Sequence, residues 1–193
     1  PGFQAKEMTG KWSLRASHTA ELFLDDVRVP ADALLPKTAG LKSALQCLNN
    51  ARAGISFGAV GSAMATFECA RRYAMDRVQF GKPIAGFQLT QKKIADMSLE
   101  LQKAYLLALH LGRLKDNGQI TPAMVSVGKL NNVREALAIA HESRSILGGN
   151  GITLEYSILR HANNLESVLT YEGTSEIHTL VVGEAITGIG AYR

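Results

Sequence analysis

The chain has 193 residues, enough for one domain with a full core, and its 46% hydrophobic and 20% charged composition is that of an ordinary soluble globular protein. Its net charge of +4 comes from 21 basic residues scattered along the sequence, paired at Arg71-Arg72 and Lys92-Lys93 but never in a run of five, which argues against a nucleic-acid tail. A mildly basic surface still suits a phosphorylated ligand.

No apolar stretch approaches the length needed to span a membrane, and no signal or transit peptide is visible, so we expect neither a membrane anchor nor secretion. Two cysteines, Cys47 and Cys69, form no CxxC pair. They read as small buried residues of a reducing compartment, the bacterial cytoplasm or the mitochondrial matrix. The sequence opens on Pro1 rather than methionine, and a piece of a longer protein is expected.

Residues 11–17 and 19–29 have the alternating, β-branched character of strands, closed by Pro30 and Pro36. So short a strand-rich piece cannot bury a sheet face unaided, and residues 1–36 are expected to be the end of a larger β domain. Residues 37–193 then form a helical domain. A first amphipathic helix is predicted over 41–77, with apolar residues three and four apart through Leu45, Leu48, Ile55, Val60 and Met64. Two glycines and a proline make 78–87 a loop. A second helix follows over 88–115, ended by Asp116-Asn117-Gly118. Thr121 caps a third helix with Pro122 at its first position, running to Leu147 and stopped by Gly148-Gly149. Shorter helices are predicted over 156–169 and 174–187. Three long helices joined by short loops make an antiparallel, up-and-down four-helix-type bundle. The fold class is mainly α.

Four motifs point to chemistry. In Thr170-Tyr171-Glu172-Gly173-Thr174, a carboxylate lies beside a glycine at a bend between two helices, with an aromatic neighbour. Asn49 and Arg52 share a face of the first helix with Leu45 and Leu48. Arg77, in Arg77-Val78-Gln79-Phe80-Gly81, either satisfies carbonyls at a helix end or clamps a pyrophosphate. Three glycines and an asparagine after Ser145-Ile146-Leu147 bring backbone close to a ligand, beyond what a helix stop needs. The five histidines show no HxxxH spacing, so no metal site is expected. Neither a Walker sequence nor a GxSxG is present.

Together these stretches resemble the acyl-CoA dehydrogenase family. The helix beginning Gly40-Leu41 and ending Leu48-Asn49-Asn50-Ala51-Arg52 is similar to its coenzyme A helix. The Glu-Gly-Thr bend is similar to the one that closes its active site. The segments SLRAS, CLNNAR, Asn163-Asn164-Leu165-Glu166 and EIHTLVVGEAITGI are most like the glutaryl-CoA dehydrogenase branch, and the likeness runs from Leu14 to Tyr192.

The resemblance implies a C-terminal helical domain preceded by the end of a middle β domain. It implies Glu172 as the base that removes the α-proton of an acyl-CoA thioester. Substrate contacts fall on Leu45, Leu48, Asn49, Arg52, Tyr171 and Gly173. FAD contacts fall on Arg77, Phe80 and Gln88 for the flavin of a neighbouring subunit, on Ser145, Ile146, Leu147, Gly148 and Gly149, and on Thr174, Ser175 and Glu176. It further implies a homotetramer, electron transfer to an electron-transfer flavoprotein, and for the glutaryl branch conversion of glutaryl-CoA to crotonyl-CoA and CO2. The cation that holds the distal carboxylate is placed by the resemblance in an N-terminal helical domain. Alternatives are another short- or branched-chain acyl-CoA dehydrogenase, or a non-catalytic helical assembly fragment; by itself the chain is expected to turn over poorly.

Overall fold

The computed structural model describes residues 1–38 and 40–191; Tyr192, the far end of the likeness, lies outside them. Four helices make the bundle. α1 spans Gly40–Asp76, α2 Gln88–Asp116, α3 Pro122–Leu147 and α4 Ile158–Thr170. Lys93 of α2 meets Glu142 of α3, and Asn132 of α3 reaches the Ala104 carbonyl of α2, so these two run antiparallel. Ser56 pairs with Asn132, while Ala70 packs with Leu147, so α1 and α3 run parallel. α4 returns from Ile158, against Ala70 and Leu147, toward the Arg52 end. The order is up-down-up-down, as expected for connections this short. A fifth helix, α5 (Ser175–Thr187), lies on α3, where His178 meets Ser126.

Small side chains set the helix spacing. Ala59, Ala63, Ala70 and Ala74 of α1, Ala104 and Ala108 of α2, Ala136 and Ala140 of α3 and Ala162 of α4 are all buried. Met97, Val133, Ile139 and Leu165 fill the space between them. One polar node crosses this core: the fully buried Asn132 amide donates to Ser56 Oγ at 2.8 Å and to the Ala104 carbonyl at 2.9 Å, tying three helices together.

The helix ends follow the expected chemistry. The Thr121 hydroxyl accepts from the Met124 N–H at 3.3 Å with Pro122 behind it. Gly118 and Gly148 take positive φ at the ends of α2 and α3. The segment predicted as a loop over 78–87 holds a two-residue antiparallel pair, β3 (Val78–Gln79) with β4 (Lys82–Pro83).

The N-terminal region differs from expectation. Its strands are β1 (Phe3–Glu7) and β2 (Ala20–Leu24), paired antiparallel from Phe3↔Leu24 to Glu7↔Ala20. Residues 11–17 form a turn instead of a strand: the Ser17 N–H bonds back to the Leu14 carbonyl, and two groups of the segment bond to α4. The Leu14 N–H, at φ 48°, donates to Asn164 Oδ1 at 2.8 Å, and Ser167 Oγ donates to Ser13 Oγ at 2.6 Å. Every residue of β1 and β2 is exposed, and Trp12 is 89% exposed. A second correction concerns Cys47, which is exposed on the outer side of α1, whereas Cys69 is partly buried; both are free thiols.

Ala108 is fully enclosed where α2 meets α1. Ala108→Leu forces extra volume into that contact and is expected to cost about 1–3 kcal/mol, read as a lower urea midpoint at unchanged m.

Candidate active site

The bend between α4 and α5 carries two consecutive residues in the left-handed region, Glu172 at φ 51° and Gly173 at φ 96°. A non-glycine residue there is uncommon and costs about 1–3 kcal/mol, so the surroundings must impose it. Two cations do so. Arg52 Nε donates to the Glu172 carbonyl at 2.6 Å. Lys129 Nζ donates to the carbonyls on either side, Tyr171 at 2.7 Å and Gly173 at 2.6 Å. Three successive carbonyls therefore face donors from α1 and α3.

Gly173 is required twice over. Beyond its positive φ, a Cβ there would lie 2.9 Å from His178 Nε2 and 3.3 Å from an Arg52 terminal nitrogen. His178 is 1% exposed and its Nδ1 shares a 3.0 Å hydrogen bond with Ser126 Oγ. Burial, then the charges of Lys129 and Arg52, push its imidazole down to about 4 against the pull of the Glu172 and Gly173 carbonyls. Lys129 is 2% exposed; burial and then Arg52 push it down to about 8, with Glu172 pulling the other way.

Two buried side-chain atoms here have no hydrogen-bond partner among the described residues, His178 Nε2 and Glu172 Oε2. A buried carboxylate oxygen without a donor is costly. It also leaves the lone pairs of that oxygen free to accept a proton.

The remaining expected residues fall into two places. At the bend, Leu45, Leu48, Asn49 and Arg52 line one face of α1, and Asn49 Oδ1 accepts from Arg52 at 3.3 Å. Tyr171 is 39% exposed, its ring 5.9 Å from Lys129 Nζ. Thr174 caps α5, its hydroxyl accepting from the Ile177 N–H at 3.4 Å. Ser175 and Glu176 open the helix, and the Thr174 hydroxyl together with its own backbone N–H holds the Glu176 carboxyl below its usual range.

The second group lies at the other end of the bundle. Asp76 ends α1 about 36 Å from Arg52 at the helical rise. Arg77 follows it, exposed and without a side-chain partner among the described residues, on a cavity of about 670 Å³ shared with Arg72, Tyr73 and Asn150. Phe80 is 93% exposed at φ 52° and, with Phe87 and Gln88, lines an open cavity of about 840 Å³. Ser145 Oγ accepts from Lys93 at 2.9 Å. Ile146 and Leu147 pack into the core, so they present backbone there; Gly148 and Gly149 would give a Cβ open space.

Sequence reasoning missed Lys129, Ser126 and the bend-side place of His178. A signal existed: Val125, Lys129, Asn132, Val133 and Ala136 share the inward stripe of α3, and a lysine on such a stripe is rarely solvated.

Residues 38–187 match the family model for the acyl-CoA dehydrogenase C-terminal domain. The chain belongs to the acyl-CoA dehydrogenase family. A glutaryl-CoA dehydrogenase structure from Mycobacterium smegmatis is 61% identical, with TM-score 0.98, covering 100% of this chain and 50% of that one. A glutaryl-CoA dehydrogenase from the same organism in complex with FADH2 is 60% identical, again with TM-score 0.98 and the same coverage. The bovine (Bos taurus) mitochondrial short-chain specific acyl-CoA dehydrogenase is 40% identical over 183 residues, 94% of this chain and 44% of that protein. The chain thus spans about half the length of the acyl-CoA dehydrogenases it matches. Among the described residues, no helix is long and apolar enough to cross a membrane.

The neutral His178 makes a pH prediction for this acyl-CoA dehydrogenase domain. Its folded value, about 4, lies below the ordinary 6.5. The unfolded chain therefore binds a proton first, and folding stability falls as pH drops through that interval. Between pH 7 and pH 5 the wild type should lose more stability than His178→Asn, measured by urea unfolding at both pH values.

Proposed function

We propose that this chain is the catalytic C-terminal half of an FAD-dependent acyl-CoA dehydrogenase, with Glu172 as the base that takes the α-proton of the bound thioester. The observation that supports this best is the unpartnered, buried Oε2 of a left-handed glutamate whose backbone is held from both sides. Desolvation by a bound acyl chain favours the neutral carboxylic acid, which strengthens the base toward working pH. The Glu172 N–H makes no hydrogen bond among the described residues, so it can donate to the thioester oxygen as negative charge develops there. Leu45, Leu48, Asn49, Arg52, Tyr171 and Gly173 would line the coenzyme A and acyl side.

The residues suit a flavin dinucleotide. An exposed phenylalanine, an unpaired arginine and a glutamine at a helix start border cavities of about 670 and 840 Å³, sizes that ligand pockets share. Arg77 would clamp pyrophosphate with parallel hydrogen bonds, Phe80 would stack, and Gln88 would bond the dinucleotide. The 145–149 turn would approach it through backbone, and the α5 N-terminus at Thr174, Ser175 and Glu176 would face it. When bound, FAD supplies the acceptor for the β-hydrogen, chemistry that no side chain here provides.

Because the Arg77 group and Glu172 lie at opposite ends of the bundle, we propose that each serves a different copy's site, as in a homotetramer. Residues 1–36, whose strands bury neither face, belong on this reading to a middle β domain, and residues 37–193 to the helical one. An electron-transfer flavoprotein would take the electrons, in the bacterial cytoplasm or mitochondrial matrix. The higher identity to a glutaryl-CoA dehydrogenase, 61% against 40% for the short-chain enzyme, favours glutaryl-CoA as substrate. A short- or branched-chain acyl-CoA is the second reading.

In the full-length flavoprotein, glutaryl-CoA should bleach the flavin and yield crotonyl-CoA with CO2, while Glu172→Gln slows bleaching by at least 1,000-fold, about 4 kcal/mol of barrier. Glutaconyl-CoA as sole product would remove the glutaryl assignment; undiminished bleaching in the variant would remove the base.

A further inference from the structure

Burying a lysine is unfavourable, and a methionine or leucine of similar volume would hold α3 in the core at less cost. Lys129 is nonetheless 2% exposed, and among the described residues its ammonium makes neither an ion pair nor a bond within its own helix. Both of its hydrogen bonds go to carbonyls that flank one residue, Glu172. Arg52 takes the carbonyl between them from the opposite helix. The bend is thereby referenced to α1 and α3 together, two helices of the bundle core, and not to the ends of α4 and α5 alone.

We propose that Lys129 is a positioning residue for proton abstraction: its ammonium bridges the carbonyls on either side of Glu172, holds that residue left-handed and keeps its carboxylate in one orientation. This rests on the reading of Glu172 as the base. Lys129 acts through the backbone of the bend, since both of its hydrogen bonds go to carbonyls there. With the bridge gone, rotation about the Tyr171–Glu172 and Glu172–Gly173 peptide planes moves the carboxylate while leaving the coenzyme A face of α1 in place. A displacement near 1 Å of a reacting group can cost on the order of 100-fold in rate, whereas thioester affinity, to which Leu45, Leu48, Asn49 and Arg52 of α1 contribute apart from the bend, should change far less.

The test uses the full-length flavoprotein. Lys129→Met and Lys129→Ala are compared with wild type and Glu172→Gln by anaerobic stopped-flow bleaching of the flavin with glutaryl-CoA and butyryl-CoA, whichever reduces the wild type. Binding of a non-oxidisable thioether analogue of that substrate is measured alongside. Bleaching in both Lys129 variants should be at least 10-fold slower, with analogue Kd within 3-fold of wild type. Added n-propylammonium should restore Lys129→Ala several-fold, and n-propanol should not; a purely packing role would not make that distinction. Bleaching within 2-fold of wild type, or a loss carried only by Kd, overturns the assignment. So does failure of both variants to load FAD with no rescue by the amine, which makes Lys129 a folding determinant. If Glu172→Gln bleaches normally, the base reading fails; if only the Lys129 variants do, that reading stands and the positioning role falls.

Discussion

Three consecutive backbone carbonyls, those of Tyr171, Glu172 and Gly173, point at two side chains, Lys129 and Arg52. Peptide carbonyls carry partial negative charge, and bonds to charged donors are roughly twice as strong as neutral ones. That interaction offsets two costs at once: the left-handed Glu172 backbone and the buried ammonium. A glutamate at φ 51° is strained, and burial lowers the hold of the Lys129 ammonium on its proton.

The bundle exists, in this view, to bring those two cations to one spot. α1 and α3 run parallel, so Arg52 and Lys129 sit at the same level, and the Asn132 node with Ser56 locks the register between them one turn away. Alanine-lined contacts bring the helices close enough for a lysine side chain on one to share a target with an arginine on the other. α4 then delivers the bend. Its placement is tied from outside by the turn at residues 13–14, bonded to Asn164 and Ser167. The β segment and the glutamate are therefore linked through a single short helix. The same antiparallel geometry sends Arg77, Phe80 and Gln88 to the far end, which is why, on the proposed reading, the site becomes complete only between copies.

Much of this is legible in the amino-acid sequence. Helix periodicity, the Thr121-Pro122 start and the glycine stops locate α1 to α5 within about two residues, because local capping and patterning decide those boundaries. Glu172, Arg52 and Gly173 stand out as a bend motif and a helix face. What is not legible is long-range. Residues 11–17 have strand-like side chains, yet the Leu14 N–H turns to Asn164 of α4, 150 positions away in sequence. Cys47 falls on the outer side of a helix whose inward face becomes fixed only further along. Lys129 carries no motif, since its partners are carbonyls that any residue could supply, and His178 meets its partner, the Ser126 hydroxyl, only across 52 positions of sequence.

The most direct measurement is the crystal structure of the Lys129→Met flavoprotein, read at the backbone of residue 172. Glu172 should leave the left-handed region, taking negative φ or splitting into several conformers, while α1 and Arg52 stay where they are. A φ still near 51°, with the carboxylate in its wild-type position, would contradict the positioning role.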